Sequence, residues 1–341
     1  MNKLGLVFDN RYLHHSISAS SAENPDRVRS LYLQLQHNTN TSIVHIQPRE
    51  ATSGEIGMLH SPFYMEQLRE HAVKNDPFTY DRDTYLMEES VPTAQLAAGG
   101  CFSLADQIMA GNIDYGFALV RPPGHHAMGG RGMGFCIFNN VALTAEYLRR
   151  QYGLKRILIL DFDIHHANGT QEIFYDTNEV LLCSIHQRGI FPFTGPSTET
   201  GSEEGVGYTI NIPIHPQFGD QEYTCLLGQL LQGVAEQYLP QFILVSAGFD
   251  AHVDDNISGT FLSTEWYGLI THILRRHAAE NCENRLLYVL EGGYNPVSLK
   301  DSVLATIDAM TRSEIIRPGI LSVPRAEMIL DGHPLHRHWT I

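Results

Sequence analysis

The sequence predicts an α/β fold, a single parallel sheet with helices on both faces. Three observations carry that expectation. Short apolar runs of strand length alternate along the chain with longer amphipathic stretches of helix length. One run, Ile157-Leu158-Ile159-Leu160, is apolar without a break, as a strand buried on both faces must be. Several runs then end in Asp, His, Glu or Tyr, at the carboxyl edge where parallel sheets place their chemistry.

Taken in order, residues 4–8 form the first strand. Asn24-Pro25-Asp26-Arg27 opens a helix that runs to about residue 36, with Pro25 suited to a first helical turn. Residues 42–46 are a strand. Residues 93–110, rich in alanine and leucine, are a helix that Gly111 stops. Residues 115–119 are a strand that runs into the loop Arg121-Pro122-Pro123-Gly124-His125-His126, continued by 129–134 without a regular period. Residues 139–152 are a helix with Val141, Ala142, Ala145 and Leu148 as its apolar positions, and the 157–160 strand follows. Strands are expected at 180–185, 208–212, 242–247 and 286–290, and helices at 221–238, 264–279 and 297–310. The proline-containing, histidine-bearing tail from Arg317 to Ile341 is expected to be a surface arm. No stretch reads as a linker, so residues 1–341 are expected to form one domain.

Composition narrows the function. The chain is 43% hydrophobic and 18% charged, ordinary for a soluble globular protein. No apolar run approaches membrane-span length, and Met1-Asn2-Lys3-Leu4 does not open a signal peptide, so no membrane partner is expected. The five cysteines are widely spaced and form no CxxC, which favours a reducing, cytoplasmic location and disfavours a thiolate zinc site. A net charge of −15 disfavours nucleic acid and steers small cations toward the protein. A general solubility adaptation gives the same charge.

The strand at 157–160 breaks into Asp161-Phe162-Asp163-Ile164-His165-His166. In an extended chain Asp161, Asp163 and His165 share one side. Asp163 and His165, joined by Asp250 after the 242–247 strand, supply one nitrogen and two carboxylates. That set leaves coordination positions open, as a catalytic rather than a structural zinc requires. Such a metal acidifies water and polarises a carbonyl. His125 and His126, after the 115–119 strand, offer imidazoles suited to acid–base work. Tyr294, after the last strand, can donate a hydrogen bond to a developing oxyanion. Each signal is modest alone. Their joint occurrence, each after an expected strand, points to metal-assisted amide hydrolysis.

Six segments then resemble one family: Arg121-Pro-Pro-Gly-His-His126, Gly134-Phe-Cys-Ile-Phe-Asn-Asn140, Asp161-Phe-Asp-Ile-His-His-Ala-Asn-Gly-Thr170, Phe191-Pro-Phe-Thr-Gly195, Ser246-Ala-Gly-Phe-Asp-Ala251 and Glu291-Gly-Gly-Tyr-Asn295. In this order, from about Arg27 to Asn295, they look like the zinc-dependent histone deacetylase superfamily. The nearest type is the class II-like branch, with bacterial histone-deacetylase-like amidohydrolases and acetylpolyamine amidohydrolases. The resemblance implies the three-layer arginase–deacetylase fold, an eight-stranded parallel sheet flanked by helices.

Carried over by position, the resemblance implies one catalytic zinc per chain on Asp163, His165 and Asp250, with iron(II) as the alternative in the cell. His126 becomes the general base and His125 its electrostatic partner, which helps protonate the leaving group. Tyr294 polarises the acetyl carbonyl. Asp161 orients His125, and Asn168 stands behind His126 where some relatives have aspartate. Some close relatives that are poor deacetylases carry histidine where this chain has Tyr294. Structural potassium is implied at Asp161, Asp163, His165, Ser184 and Ile185, with Phe174, Thr177 and Val180 matching part of a second site. Phe135 and Phe191 are expected to wall a tunnel for an aliphatic chain, with the Gly134 backbone close to the substrate. Arg27 matches an arginine beside an internal acetate pocket.

The expected substrate is a small cationic N-acetylated amine. N-acetylpolyamines lead because of the charge and because Glu88 or Glu89, in the segment 81–90, suits a distal ammonium. Acetyl-lysine on a protein or peptide is the alternative. A binuclear manganese ureohydrolase needs a denser set of bridging aspartates than this chain offers. A non-catalytic acetyl-amine binding module would lack a ligand, base or tyrosine that is present here. A homodimer or higher homo-oligomer stays open.

Overall fold

The computed structural model describes residues 2–17, 21–74, 83–316, 319 and 321–341. All eight expected strands form, and they form one sheet: β1 (Leu4–Val7), β2 (Ile43–His45), β3 (Tyr115–Ala118), β4 (Ile157–Asp161), β5 (Val180–Gln187), β6 (Thr209–Ile214), β7 (Phe242–Ala247) and β8 (Leu286–Leu290). Every pairing is parallel, in the order β2-β1-β3-β8-β7-β4-β5-β6. The strands from β3 inward are buried on both faces, which is why they read as continuous apolar runs rather than alternating ones.

The helices are α1 (Asp26–Gln36), α2 (Ser53–Ile56), α3 (Pro62–Lys74), α4 (Ser90–Met109), α5 (Asn140–Tyr152), α6 (Asn168–Phe174), α7 (Asp220–Tyr238), α8 (Thr264–Asn281), α9 (Pro296–Thr311) and α10 (Pro324–Asp331). They flank the sheet in two packed groups, α2 to α6 around α4 and α5, and α1 with α7 to α10 around α8 and α9. Side-chain caps set several of the starts. Asn139 caps α5 through the Ala142 N–H, Ser263 caps α8 through Trp266, and Asn295 caps α9 through Val297 and Ser298. Gly153, in the left-handed conformation at φ 68°, ends α5.

The strand order decides where the site lies. The last two strands, β7 and β8, insert between β3 and β4. Register aligns their ends: Asp161 pairs with Ser246, Ala247 with Leu290, and Val289 with Ala118. Four loops far apart in sequence therefore leave four adjacent strands along one edge.

Four helices depart from the sequence expectation. α2 and α3 lie where no element was expected, although Pro62 at the start and buried Tyr64 and Leu68 one turn apart carry a helical signal. α6 begins in Asn168-Gly169-Thr170, weak helix formers, and spans two turns. The tail is the clearest correction, because its last residues are not a free arm. α10 packs on α7, where Arg325 Nε donates to Glu222 Oε1 at 2.7 Å. His333 is buried with Nε2 2.6 Å from Asn211 O, and Trp339 Nε1 donates to Gly207 O at 2.7 Å. Arg317, where the arm was expected to start, lies outside the described residues.

Trp339→Ala is expected to lower stability by about 3 kcal/mol, the scale of a buried aromatic truncated to alanine. The denaturant midpoint checks it, and an unchanged midpoint would show that the tail adds nothing to the fold.

Candidate metal centre and active site

At the exit of β4 the chain folds back on its own acids. The Asp163 N–H donates to Asp161 Oδ1 at 3.1 Å, and the His165 N–H donates to Asp163 Oδ1 at 2.8 Å. The Ile164 N–H reaches Asp250 Oδ1 at 3.0 Å, which ties the β4 exit to the β7 exit. Gly292, at the β8 exit, donates its N–H to Asp163 Oδ2 at 2.8 Å. Backbone donors from two loops thus orient both acids.

Asp163, His165 and Asp250 each offer one ligand atom, and the three atoms lie within 4.8 Å of one another. His165 Nδ1 is 2.9 Å from Asp163 Oδ1 and 3.2 Å from Asp250 Oδ2. Both aspartates are fully buried, and His165 nearly so. Asp250 Oδ2 receives no well-aligned hydrogen bond, although His165 Nδ1 is near. Burial and the Asp163 charge push the Asp250 carboxyl up to about 6. Burial raises Asp163 too, but His125 and His165 hold it well below the usual carboxylate range. Space for the acids is made by glycine. A Cβ on Gly292 would overlap Asp250 Oδ2 and Asp163 Oδ2, and one on Gly248 would overlap Asp163 Oδ2. A converging imidazole and two carboxylates, one oxygen lacking a donor, fit a divalent cation with open coordination positions. Among the described residues this is the one group of three or more His, Cys, Asp or Glu with such geometry.

The two histidines lie beside this group, with ring centres 4.0 Å apart. His125 Nδ1 is 3.0 Å from Asp161 Oδ2, and its Nε2 is 3.8 Å from Asp163 Oδ1. Burial works against its cation, but Asp161 and Asp163 outweigh burial and raise it to about 10. His126 Nδ1 is 2.7 Å from Asn168 Oδ1, and burial beside the His125 charge pushes it well below its ordinary value. With the amide oxygen as acceptor, the His126 proton sits on Nδ1 and Nε2 is the free base.

Gly134 has φ 53°, and a Cβ there would press on His126 Cδ2 and lie 2.8 Å from Phe191 Cε1. The close approach that requires glycine is therefore to these two rings. Phe135 follows at φ 68°, a left-handed conformation that costs a bulky residue about 1–3 kcal/mol. Its ring centre is 5.6 Å from that of Tyr294, and its N–H donates to Thr84 Oγ1 at 3.1 Å. Phe191 stands edge-on to His126 at 5.1 Å. The two phenylalanines thus flank the tyrosine and the histidines. Burial pushes the Tyr294 phenol far up, so its O–H stays a donor.

Arg27 crosses from α1 to the Tyr294 loop. Its Nε donates to Gly293 O and its Nη2 to Glu291 O, both at 2.6 Å, and its Nη1 donates to Glu23 at 2.9 Å. Its guanidinium lies 4.8 Å from the Tyr294 ring centre. Each nitrogen is committed to a protein acceptor, so Arg27 acts here as a brace for the loop. Glu88 and Glu89 are exposed at the start of α4, four and five residues beyond Thr84, while Asp81 and Arg82 lie outside the described residues. Asp161 and Ser184 are register partners on β4 and β5, and Ile185 follows Ser184. Phe174 O accepts the Thr177 N–H at 3.4 Å just before Val180 opens β5.

Two buried acids at the site have no role assigned from the sequence. Glu291 accepts the N–H groups of Gly124 and His125 at 2.6 and 3.1 Å, and burial raises it to about 7. Its place beside Gly-Gly-Tyr was the available signal. Glu23 sits between Arg27 and Arg121, where burial is outweighed by the two cations and its pKa falls to about 2. Its i, i+4 spacing to Arg27 is the local signal, whereas Arg121 is 98 residues away.

Comparisons with known proteins agree on one family. The family model described as the histone deacetylase domain matches residues 21–310. A probable deacetylase of Archaeoglobus fulgidus is 37% identical over 294 residues, 85% of this chain and 81% of that protein. A chloroplastic histone deacetylase 10 of Oryza sativa is 36% identical over 295 residues, 83% of this chain and 66% of that protein, so the chain spans just under two thirds of the rice relative. The crystal structure of the HDA15 HD domain matches with a TM-score of 0.87 at 34% identity, covering 96% of this chain and 94% of that one.

Gly292→Ala is expected to weaken zinc affinity at least about 10-fold, the scale for disturbing the groups that orient metal ligands. Gly228→Ala, where an added Cβ meets nothing within 4 Å, is the control and should leave affinity unchanged. Competition against a zinc chelator reads both.

Proposed function

Since the chain belongs to the histone deacetylase family and is a deacetylase of the hydrolase class, we propose that it hydrolyses the acetamide of amines carried on an unbranched aliphatic arm. N-acetylpolyamines are the first substrate class and acetyl-lysine on a peptide the second. The observation that carries the reading is the convergence of Asp163, His165, Asp250, His125, His126 and Tyr294 from four adjacent strand ends.

Asp163, His165 and Asp250 would hold zinc, or iron(II) in its place, and the ion would supply Lewis acidity for the hydrolysis. His126 takes the proton of the attacking water at Nε2, with Asn168 holding Nδ1. As the C–O bond forms, the Tyr294 O–H donates to the carbonyl oxygen that gains charge. His125, kept cationic by Asp161, stabilises that charge and helps protonate the nitrogen as the C–N bond breaks. Acetate and the free amine leave. Phe135 and Phe191 exclude water from the arm of the substrate and admit a chain without branches.

The polyamine reading rests on the net charge of −15 and on Glu88 and Glu89, exposed beyond the Thr84 contact to Phe135. The second reading is favoured by the names of the plant relatives and by the exposed apolar side chains Phe193 and Val253, each a few residues from the site. We assign the chain to the class II-like branch, with potassium at the Asp161–Ser184 and Phe174–Val180 sets. The five cysteines are free and buried, as a reducing cytoplasm allows, and no helix among the described residues is long and apolar enough to cross a membrane.

Tyr294→Phe is expected to cut turnover by about 10²–10³, the scale for one oxyanion donor. Wild-type kinetics in that variant would remove the phenol from the reaction. A side-by-side panel of acetylputrescine, acetylcadaverine, acetylspermidines and an acetyl-lysine peptide decides the substrate. A higher kcat/KM for the peptide would overturn the polyamine reading and leave the chemistry standing.

A further inference from the structure

Asp255 is an aspartate that the reaction described above does not use. It is 4% exposed, five residues beyond Asp250 in the loop after β7. A buried carboxylate costs several kcal/mol unless polar groups replace the lost water, so its partners report why it is there. All three partners among the described hydrogen bonds are backbone. Oδ2 accepts the Tyr294 N–H at 2.6 Å and the Asn295 N–H at 3.1 Å, and Oδ1 accepts the Ile257 N–H at 3.2 Å.

Two of these donors belong to the residue that carries the phenol and to its neighbour. The carboxylate also faces the start of α9, whose N-terminal dipole favours a negative charge. Asn295 is held twice, because its Nδ2 donates to Asp254 O at 2.9 Å while its Oδ1 caps α9. Arg27 holds the Gly293 and Glu291 carbonyls at the other end of the same loop. The loop is thus fixed on its N–H side by Asp255 and on its C=O side by Arg27. The two clamps meet on one peptide unit, whose C=O, of Gly293, accepts from Arg27 and whose N–H, of Tyr294, donates to Asp255, and Gly293 takes φ 118°, a conformation that glycine adopts freely.

We propose that Asp255 is a positioning residue for deacetylation, whose carboxylate fixes the Tyr294 backbone and so aims the phenol at the acetyl oxygen. The inference rests on the reading of Tyr294 as the oxyanion donor. A side chain that acts through another residue loses its effect when that residue's reacting group is gone, and the test uses this property.

The experiment compares zinc-loaded wild type with Asp255→Ala, Tyr294→Phe and the double variant in acetate release, together with amide hydrogen exchange over residues 291–297. Asp255→Ala is expected to lower kcat roughly 10- to 100-fold, less than deleting the donor itself, with KM within about threefold. One zinc per chain should remain, and exchange should quicken at 294–295. In the Tyr294→Phe background the same substitution is expected to cost less than about twofold. A full, additive loss in that background, or a kcat near wild type with faster exchange, overturns the proposal. Near-wild-type kinetics for Tyr294→Phe alone overturn the premise instead. Should Asp255→Ala not fold, Asp255→Asn keeps the shape with a weaker acceptor and is read by the same cycle.

Discussion

Two carboxylates buried side by side are what the rest of this structure answers to. Asp163 and Asp250 have no access to water, and their oxygens lie around a single imidazole nitrogen. Charge in such a place is tolerated only when a cation and aligned donors replace the solvent. The backbone supplies what it can, through the N–H groups of Ile164, His165 and Gly292. Glycines at 248 and 292 give up side chains so that the acids fit. The remaining demand is for a shared cation, and that demand is also the source of the chemistry.

A second layer of buried charge holds the His125 side chain and the Tyr294 loop in place. Asp161 fixes His125, Glu291 fixes the backbone of Gly124 and His125, and Arg27 holds the loop that ends in Tyr294. Glu23 lies between Arg27 and Arg121 and links that loop to the N-terminal part of the chain. Such groups lower stability if they are unpaired, so each is paired more than once. Local strain enters at Phe135, where a left-handed backbone turns the ring toward Tyr294.

Much of this is legible in the sequence, because parallel strands write themselves plainly. Runs such as 157–160 and 242–247 are apolar end to end, so their limits, and the polar residues just past them, stand out. Asp163, His165, Asp250, His125, His126 and Tyr294 were all marked in this way, and the structure brings them together. Strand order is another matter. Nothing local says that β7 and β8 insert between β3 and β4, since that is decided by contacts 85 residues apart for β4 with β7 and 171 apart for β3 with β8. The short helix α6 was hidden by poor helix formers, and α10 by a proline-bearing tail whose Ala326 and Leu330 did carry the period. The paired acids Glu23, Glu291 and Asp255 are harder to assign, because most of their partners are backbone groups or, for Glu23, an arginine 98 residues away. Buried charge is read from its surroundings, and a sequence does not show them.

The central claim is that one metal ion on Asp163, His165 and Asp250 turns these loops into an amidohydrolase. The most direct measurement is a titration of chelator-stripped protein with zinc, following acetate release from an acetylated amine. Activity is predicted to be absent without metal and to rise linearly to a break at one equivalent per chain. Acetate release that persists in the stripped protein, or a break at two equivalents, would contradict the account.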